Sequence, residues 1–227
     1  MTSTAIVGST GLVGSHILAT LLSLPSISAV HSISRRAAAS TDAKLHPLVG
    51  TDTAQWPIQL SAITPPPSIL FSGLGTTKGA AGSFEAQRKI DYDLNLSLAQ
   101  AAKSSGVKVY VLISSGGANS KSFIPYAKMK GELEDSVKAL EFEHTVILRP
   151  GLLVGDRSES RLAEGVFRGV ANVMGHVGLK DFWAQDADVV AKAAIAAGLQ
   201  SLEGGKPKVW EIGQAEIIKL GRTEWKA

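Results

Sequence analysis

Short apolar runs alternate with helically spaced ones along most of this chain. Ile6 and Val7 suit a buried parallel strand, and Leu12, Val13, Ile17, Leu18, Leu21 and Leu22 recur at helical spacing directly after it. Residues 29–34 predict a second strand, 69–72 a third behind the Pro65-Pro66-Pro67 breaker, 107–113 a strongly branched one and 144–148 another. Helical patterns separate them near 85–104 and 123–141, and a helix near 186–199, with Val189, Val190, Ala193 and Ala194 inward, covers the sheet. This alternation predicts an α/β fold, in which right-handed crossovers wind the strands into one doubly wound parallel sheet.

The junctions carry the chemistry. Gly8, Ser9, Thr10, Gly11, Leu12, Val13 and Gly14 form a glycine turn between the first strand and the first helix. In such a turn Gly8 permits the tight bend, Gly11 lets a pyrophosphate approach the backbone, and Gly14 lets helix and strand pack closely, while the free N–H groups of the helix end face the phosphates. The chain therefore predicts an NAD(P)-binding Rossmann fold. An NAD site places an acidic residue about 20 residues further on, against the ribose hydroxyls. Here Arg35 and Arg36 stand there instead. Two guanidiniums suit a ribose 2′-phosphate, through hydrogen bonds worth about 1.5–3 kcal/mol each, which predicts NADP(H) over NAD. Gly73, Leu74 and Gly75, at the end of the third strand, are expected to line the cofactor.

Ser114-Ser115-Gly116-Gly117 closes the branched strand, and Tyr126 and Lys130 follow in the next helix. Tyr126 and Lys130 fall one turn apart on one helical face, so the ammonium is expected to lower a phenol pKa that is otherwise about 10. Such a tyrosine exchanges a proton with a carbonyl oxygen that Ser115 orients, while a nicotinamide exchanges hydride with the carbonyl carbon.

Composition narrows the picture further. With 227 residues, 44% hydrophobic and 19% charged, and without internal repeats, residues 1–227 read as one domain. A small substrate or partner side spans 152–185 and holds Asp156-Arg157, an amphipathic stretch at 161–174 and Phe182-Trp183. The net charge is +3 and the pI about 9.1, but the cations are scattered without interleaved aromatics, so no nucleic-acid partner is implied. There is no cysteine, and the five histidines show no metal-ligand spacing. No apolar run reaches the about 18 residues of a membrane span, so any membrane contact would be peripheral. Residues 1–41 are rich in Ser and Thr and hold arginines but no acid, a composition like that of a mitochondrial transit segment. Cleavage there would remove two strands, the glycine turn and the first helix, so any such address is expected to be retained.

These residues resemble the short-chain dehydrogenase/reductase superfamily in its atypical, NADP-binding branch. Gly8 to Gly14, Leu74-Gly75-Thr76-Thr77-Lys78, Ala81-Gly82-Ser83-Phe84, Asp91-Tyr92-Asp93-Leu94-Asn95, Ser114-Ser115-Gly116-Gly117-Ala118 and Leu148-Arg149-Pro150-Gly151 look like the Tat-interacting-protein oxidoreductase family and its fungal FMP members. The resemblance implies a catalytic serine at Ser115, tyrosine at Tyr126 and lysine at Lys130, with Lys130 also bonding the nicotinamide ribose. It implies a peripheral protein of the mitochondrial outer membrane, with a cytosolic one as the alternative. The family's usual asparagine is replaced by Asp91, with Asn95 one turn later, which leaves the usual proton relay open. Two functions follow: an NADPH-dependent reductase or dehydrogenase acting on an unknown carbonyl or alcohol, or a non-catalytic NADPH-binding regulatory or scaffold protein. Neither the substrate nor the oligomeric state follows from these residues.

Overall fold

The computed structural model describes residues 1–154 and 184–226. Its strands are β1 (Thr2–Val7), β2 (Ile27–Ser34), β3 (Leu45–Val49), β4 (Ile69–Ser72), β5 (Val109–Ile113), β6 (His144–Leu148), β7 (Leu152–Val154), β8 (Ala184–Asp186) and β9 (Val209–Ile212). Seven of them form a single parallel sheet in the order β3-β2-β1-β4-β5-β6-β9, while β7 and β8 pair separately. The chain moves outward from β1 to β3, then returns to β4 on the other side of β1, so its winding direction reverses between β1 and β4. Ligands of such sheets bind in the crevice outside the carboxyl ends of the strands at that reversal. Register makes the crevice compact: Val7 lies opposite both Ile33 and Ser72, so β1, β2 and β4 end level with one another.

Alternate strand residues serve opposite layers. Ile6, Phe71 and Val111 pack with α1 (Leu12–Ser23) and α7 (Ala187–Glu203), whereas Ala5, Val7, Leu70 and Leu112 pack against α2 (Trp56–Ser61), α5 (Asn95–Ser105) and α6 (Pro125–Lys138). In α7 a Cβ on Gly198 would lie 3.2 Å from Val111 and 3.3 Å from Phe71, so this helix sits directly on the sheet. Shorter helices, α3 (Lys78–Ala81), α4 (Phe84–Arg88) and α8 (Gln214–Ile218), fill the connections. Among the described residues no helix is long and apolar enough to cross a membrane.

Two features differ from the expected order. The edge strands β3 and β9 were not anticipated, since β3 contains Pro47 and neither carries a continuous apolar run. An edge position tolerates both departures, because only one side of the strand must donate to the ladder. The single helix expected over 85–104 is instead α4, a π-helical segment at Lys89–Leu94, and α5. Such wide turns recur at functional sites, and this one carries Asp91, which is buried next to the also buried Asn95. Of the segment at 152–185, Asp156-Arg157, the stretch 161–174 and Phe182-Trp183 lie outside the described residues.

Candidate active site

The glycine turn is built by contacts that exclude side chains. Gly8 has φ +80°, and a Cβ on it would lie 2.7 Å from the backbone of Gly73. A Cβ on Gly14 would lie 2.0 Å from the Gly8 carbonyl oxygen, so strand and helix meet here only because that position has no side chain. Gly11 N donates to Gly8 O at 3.0 Å, and α1 begins with no side-chain cap and no acid in its first turn. Its first amides are thereby left for an external acceptor, an arrangement suited to a phosphate. Thr10 and Gly11 are exposed and Leu12 is half-buried, whereas Val13 and Gly14 are buried and have only backbone to offer. Ser9 is buried with its hydroxyl 2.7 Å from that of Ser32, which ties the turn to β2.

The other expected cofactor residues emerge at the same edge. Arg35 and Arg36 follow β2 directly and are exposed, with Ser34 Oγ donating to Arg36 O at 2.6 Å. Gly73 N donates to Val7 O at 3.0 Å, which sets Gly73, Leu74 and Gly75 beside the glycine turn. A dinucleotide therefore fits these residues: a cradle that a Cβ would fill, an uncapped helix end, and cations where the adenosine ribose would lie.

Ser115 leaves the end of β5, where Gly116 N donates to Pro150 O at 2.7 Å. Tyr126 is the second residue of α6 and 42% exposed, and Lys130, one turn on, is 3% exposed with Nζ donating to Ile113 O at 3.3 Å. Ser115 lies near enough to Tyr126 to pull the phenol's pKa down. The structure thus assembles Ser115, Tyr126 and Lys130 beside the strand ends, one strand away from β4.

The electrostatics differ from the sequence expectation in one respect. The Tyr126 phenol is pushed above its ordinary value, chiefly by the surrounding protein and then by the charge of Asp91, with only Ser115 pulling it down. Lys130 does not lower it here, because the buried ammonium faces other partners. Burial pulls Lys130 down from its usual value, and the fields of Asp91 and Glu134 oppose that shift. Asp91 is in turn raised by burial, against Lys130, the Thr76 N–H and Gln87.

Asp91 and Asn95 also work together as fasteners. Asp91 Oδ1 accepts from Thr76 N at 2.7 Å, and Asn95 accepts from Ser72 Oγ at 2.5 Å while donating to Leu74 O at 3.2 Å. Both hold the loop after β4 against the cofactor crevice. Glu134 and Arg149 did not emerge as site-supporting residues from the sequence. Glu134 is 1% exposed, accepts from Ser114 Oγ at 2.5 Å, and is bonded twice by Arg149 Nε at 3.1 and 3.2 Å. Arg149 continues to Glu211 at 2.8 Å, and Glu211 to Lys138. The one available signal was spacing: Glu134 stands four residues beyond Lys130 on the same face of α6.

A doubly wound parallel sheet with a glycine turn at its reversal defines the class of dinucleotide-binding Rossmann folds. A family model described as HIM1 matches residues 47–174. The chain is 56% identical to "Protein fmp52-1, mitochondrial" of Aspergillus terreus, over 98% of this chain and 100% of that protein. It is 48% identical to "Protein fmp-52, mitochondrial" of Neurospora crassa, over 99% of this chain and 97% of that one. The chain belongs to the FMP52 family. Among solved structures, MoeE5 in complex with UDP-glucose and NAD superposes with a TM-score of 0.69 at 16% identity, covering 98% of this chain and 81% of MoeE5. UDP-glucose 4-epimerase from Thermotoga maritima, with UDP-glucose, gives 0.66 at 18%, covering 99% and 84%. At such identities these two likenesses establish the fold alone.

Proposed function

We propose that the protein is an NADPH-dependent reductase or dehydrogenase of the short-chain type, acting on a carbonyl or alcohol and peripheral to the mitochondrial outer membrane. The observation that carries the catalytic reading is the convergence of Ser115, Tyr126 and Lys130 with the Gly8–Gly14 cradle at the carboxyl ends of one sheet. The relatives' names, which include the word mitochondrial, support the location.

The first amides of α1 would hold the pyrophosphate, Arg35 and Arg36 would take the 2′-phosphate, Gly73 to Gly75 would border the crevice, and Lys130 would bond the nicotinamide ribose. When bound, the nicotinamide supplies hydride to a carbonyl carbon or removes it from an alcohol. Ser115 hydrogen-bonds the substrate oxygen, and Tyr126 donates its proton to that oxygen during reduction. The upward shift of the phenol keeps Tyr126 protonated at neutral pH, which suits the reductive direction. The phenolate that remains is stabilised by the Ser115 hydroxyl.

Calorimetric titration with NADPH and NADH tests the cofactor. NADPH affinity should fall roughly tenfold or more in Arg35→Ala, with NADH unaffected. Tyr126→Phe should keep NADPH affinity and lose about 10²–10⁴-fold of turnover on a carbonyl found by screening. Absence of binding by either nucleotide removes the oxidoreductase reading, and unchanged affinity in Tyr126→Phe with no turnover by the unmodified protein favours the binding protein instead.

A further inference from the structure

The loop between β5 and α6 presents an apolar tip that the proposed chemistry does not use. Phe123 is 103% exposed and Ile124 66%. The loop is held rigidly: Asn119 N donates to Ala127 O, Lys121 N to Asn119 Oδ1 and Ser122 N to Asn119 O, each at 2.9 Å, and Ile124 N to Ser122 Oγ at 3.1 Å. A Cβ on Gly131 would lie 2.1 Å from Ser120 N, so the loop is clamped onto α6 as well. A flexible segment could fold its apolar side chains back onto the surface, but this one holds them in water, where their exposure is unfavourable.

The charge around the tip has one sign. Lys121 and Lys128 flank it, both are exposed, and neither has an acidic partner among the described residues. Residues 118–131 contain no Asp or Glu, and the remaining cation there, Lys130, is buried. An aromatic and a branched side chain projecting between two solvated ammoniums match the layering of an anionic phospholipid surface. The apolar groups enter the boundary between headgroups and acyl chains, and the ammoniums stay at the phosphates. We propose that Phe123-Ile124, with Lys121 and Lys128, is the element by which the protein docks onto an anionic bilayer. The proposal rests on the peripheral-membrane reading above and names the residues that would carry it. It places Tyr126, two residues beyond Ile124, next to the lipid contact.

The test is co-sedimentation with vesicles of phosphatidylcholine alone and of phosphatidylcholine with phosphatidylinositol. The unmodified protein should bind the mixed vesicles more strongly than the neutral ones, and less so as salt rises. The doubly substituted F123E/I124E should partition at least roughly tenfold less, with its urea unfolding midpoint unchanged. Because the chain has no cysteine, Ile124→Cys can be labelled at a single site with a polarity-sensitive dye, whose emission should shift to the blue on adding mixed vesicles. Equal binding by F123E/I124E, or an unshifted dye, overturns the tip while leaving the peripheral reading in place. Failure of the unmodified protein to bind either vesicle overturns both and leaves a protein partner as the reason for the exposed tip. NADPH titration of the same samples reports on the oxidoreductase reading independently.

Discussion

The two halves of the site are built in different ways. The glycine-turn half is shaped by backbone: Gly8, packed on the backbone of Gly73, and Gly14, packed on that of Gly8, sit at distances that admit no side chain, and the helix end presents amides. The half with Ser115 and Tyr126, around β5 and α6, is held by charges contributed from separate parts of the chain, of which Asp91, Lys130 and Glu134 are buried. Asp91, Lys130, Glu134, Arg149, Glu211 and Lys138 alternate in sign from the cofactor crevice towards β9. A backbone cradle tolerates little change in volume, whereas a charge network tolerates changes in volume but not the loss of a partner.

The largest effect expected from this contrast is at Gly14. Gly14→Ala should destabilise the protein by about 3 kcal/mol or more and abolish NADPH binding, since the new Cβ would need space 2.0 Å from the Gly8 carbonyl oxygen. Urea unfolding and calorimetry check both. If the variant is stable and binds NADPH normally, the cradle is not shaped by this approach.

Glu134→Ala should come next, at about 2–3 kcal/mol by urea unfolding. Arg149 is 29% exposed at its side chain and retains Glu211, which keeps the loss below that for a fully enclosed pair. Unlike Gly14→Ala, this variant should keep most of its NADPH affinity, because the cradle does not depend on Glu134. An equal loss of affinity in the two variants would mean that the halves act as one unit.

The smallest effects are in pH dependence, and two carboxylates should differ in sign. Asp91 has a raised pKa in the fold, so its ionised form opposes folding at neutral pH, and that penalty is relieved as pH falls through the folded value towards 3.8. Stability of the unmodified protein should therefore rise relative to Asp91→Asn over that interval. Glu211 has a lowered pKa, first through its hydrogen bond with Lys138. Its contribution is present above 4.5 and lost as pH falls through the folded value, so the unmodified protein should weaken relative to Glu211→Gln. At 36% side-chain exposure, solvent screening keeps the Glu211 effect below about 1 kcal/mol. Urea midpoints across the acid range separate the two signs.

The contrast also explains what could be read in advance. The glycine turn, Arg35-Arg36 and the Ser115, Tyr126 and Lys130 set are local patterns, whose spacing along the chain already implies their geometry. β1, β2, β4, β5 and β6 were legible because buried central strands need apolar runs, and β3 and β9 were not, because edge strands do not. The break of the expected helix at Lys89–Leu94 left no mark in the apolar spacing, yet it helps place Asp91.

The amino-acid order by itself determined the parallel α/β fold, and it pointed to the candidate crevice and the three candidate catalytic side chains, because each depends on periodicity or on residues within a turn or two of one another. Only the tertiary structure decided how those side chains are charged. Asp91 lies 39 residues before Lys130 in the chain, and Arg149 15 residues after Glu134, so their mutual influence depends on how the fold brings the Lys89–Leu94 segment and the end of β6 against α6. The same holds for the direction of the Tyr126 shift. Spacing alone placed an ammonium one turn from the phenol, but burial and a carboxylate from another helical segment outweighed it, since Coulomb energies depend on distance and desolvation in the folded state rather than on separation along the chain.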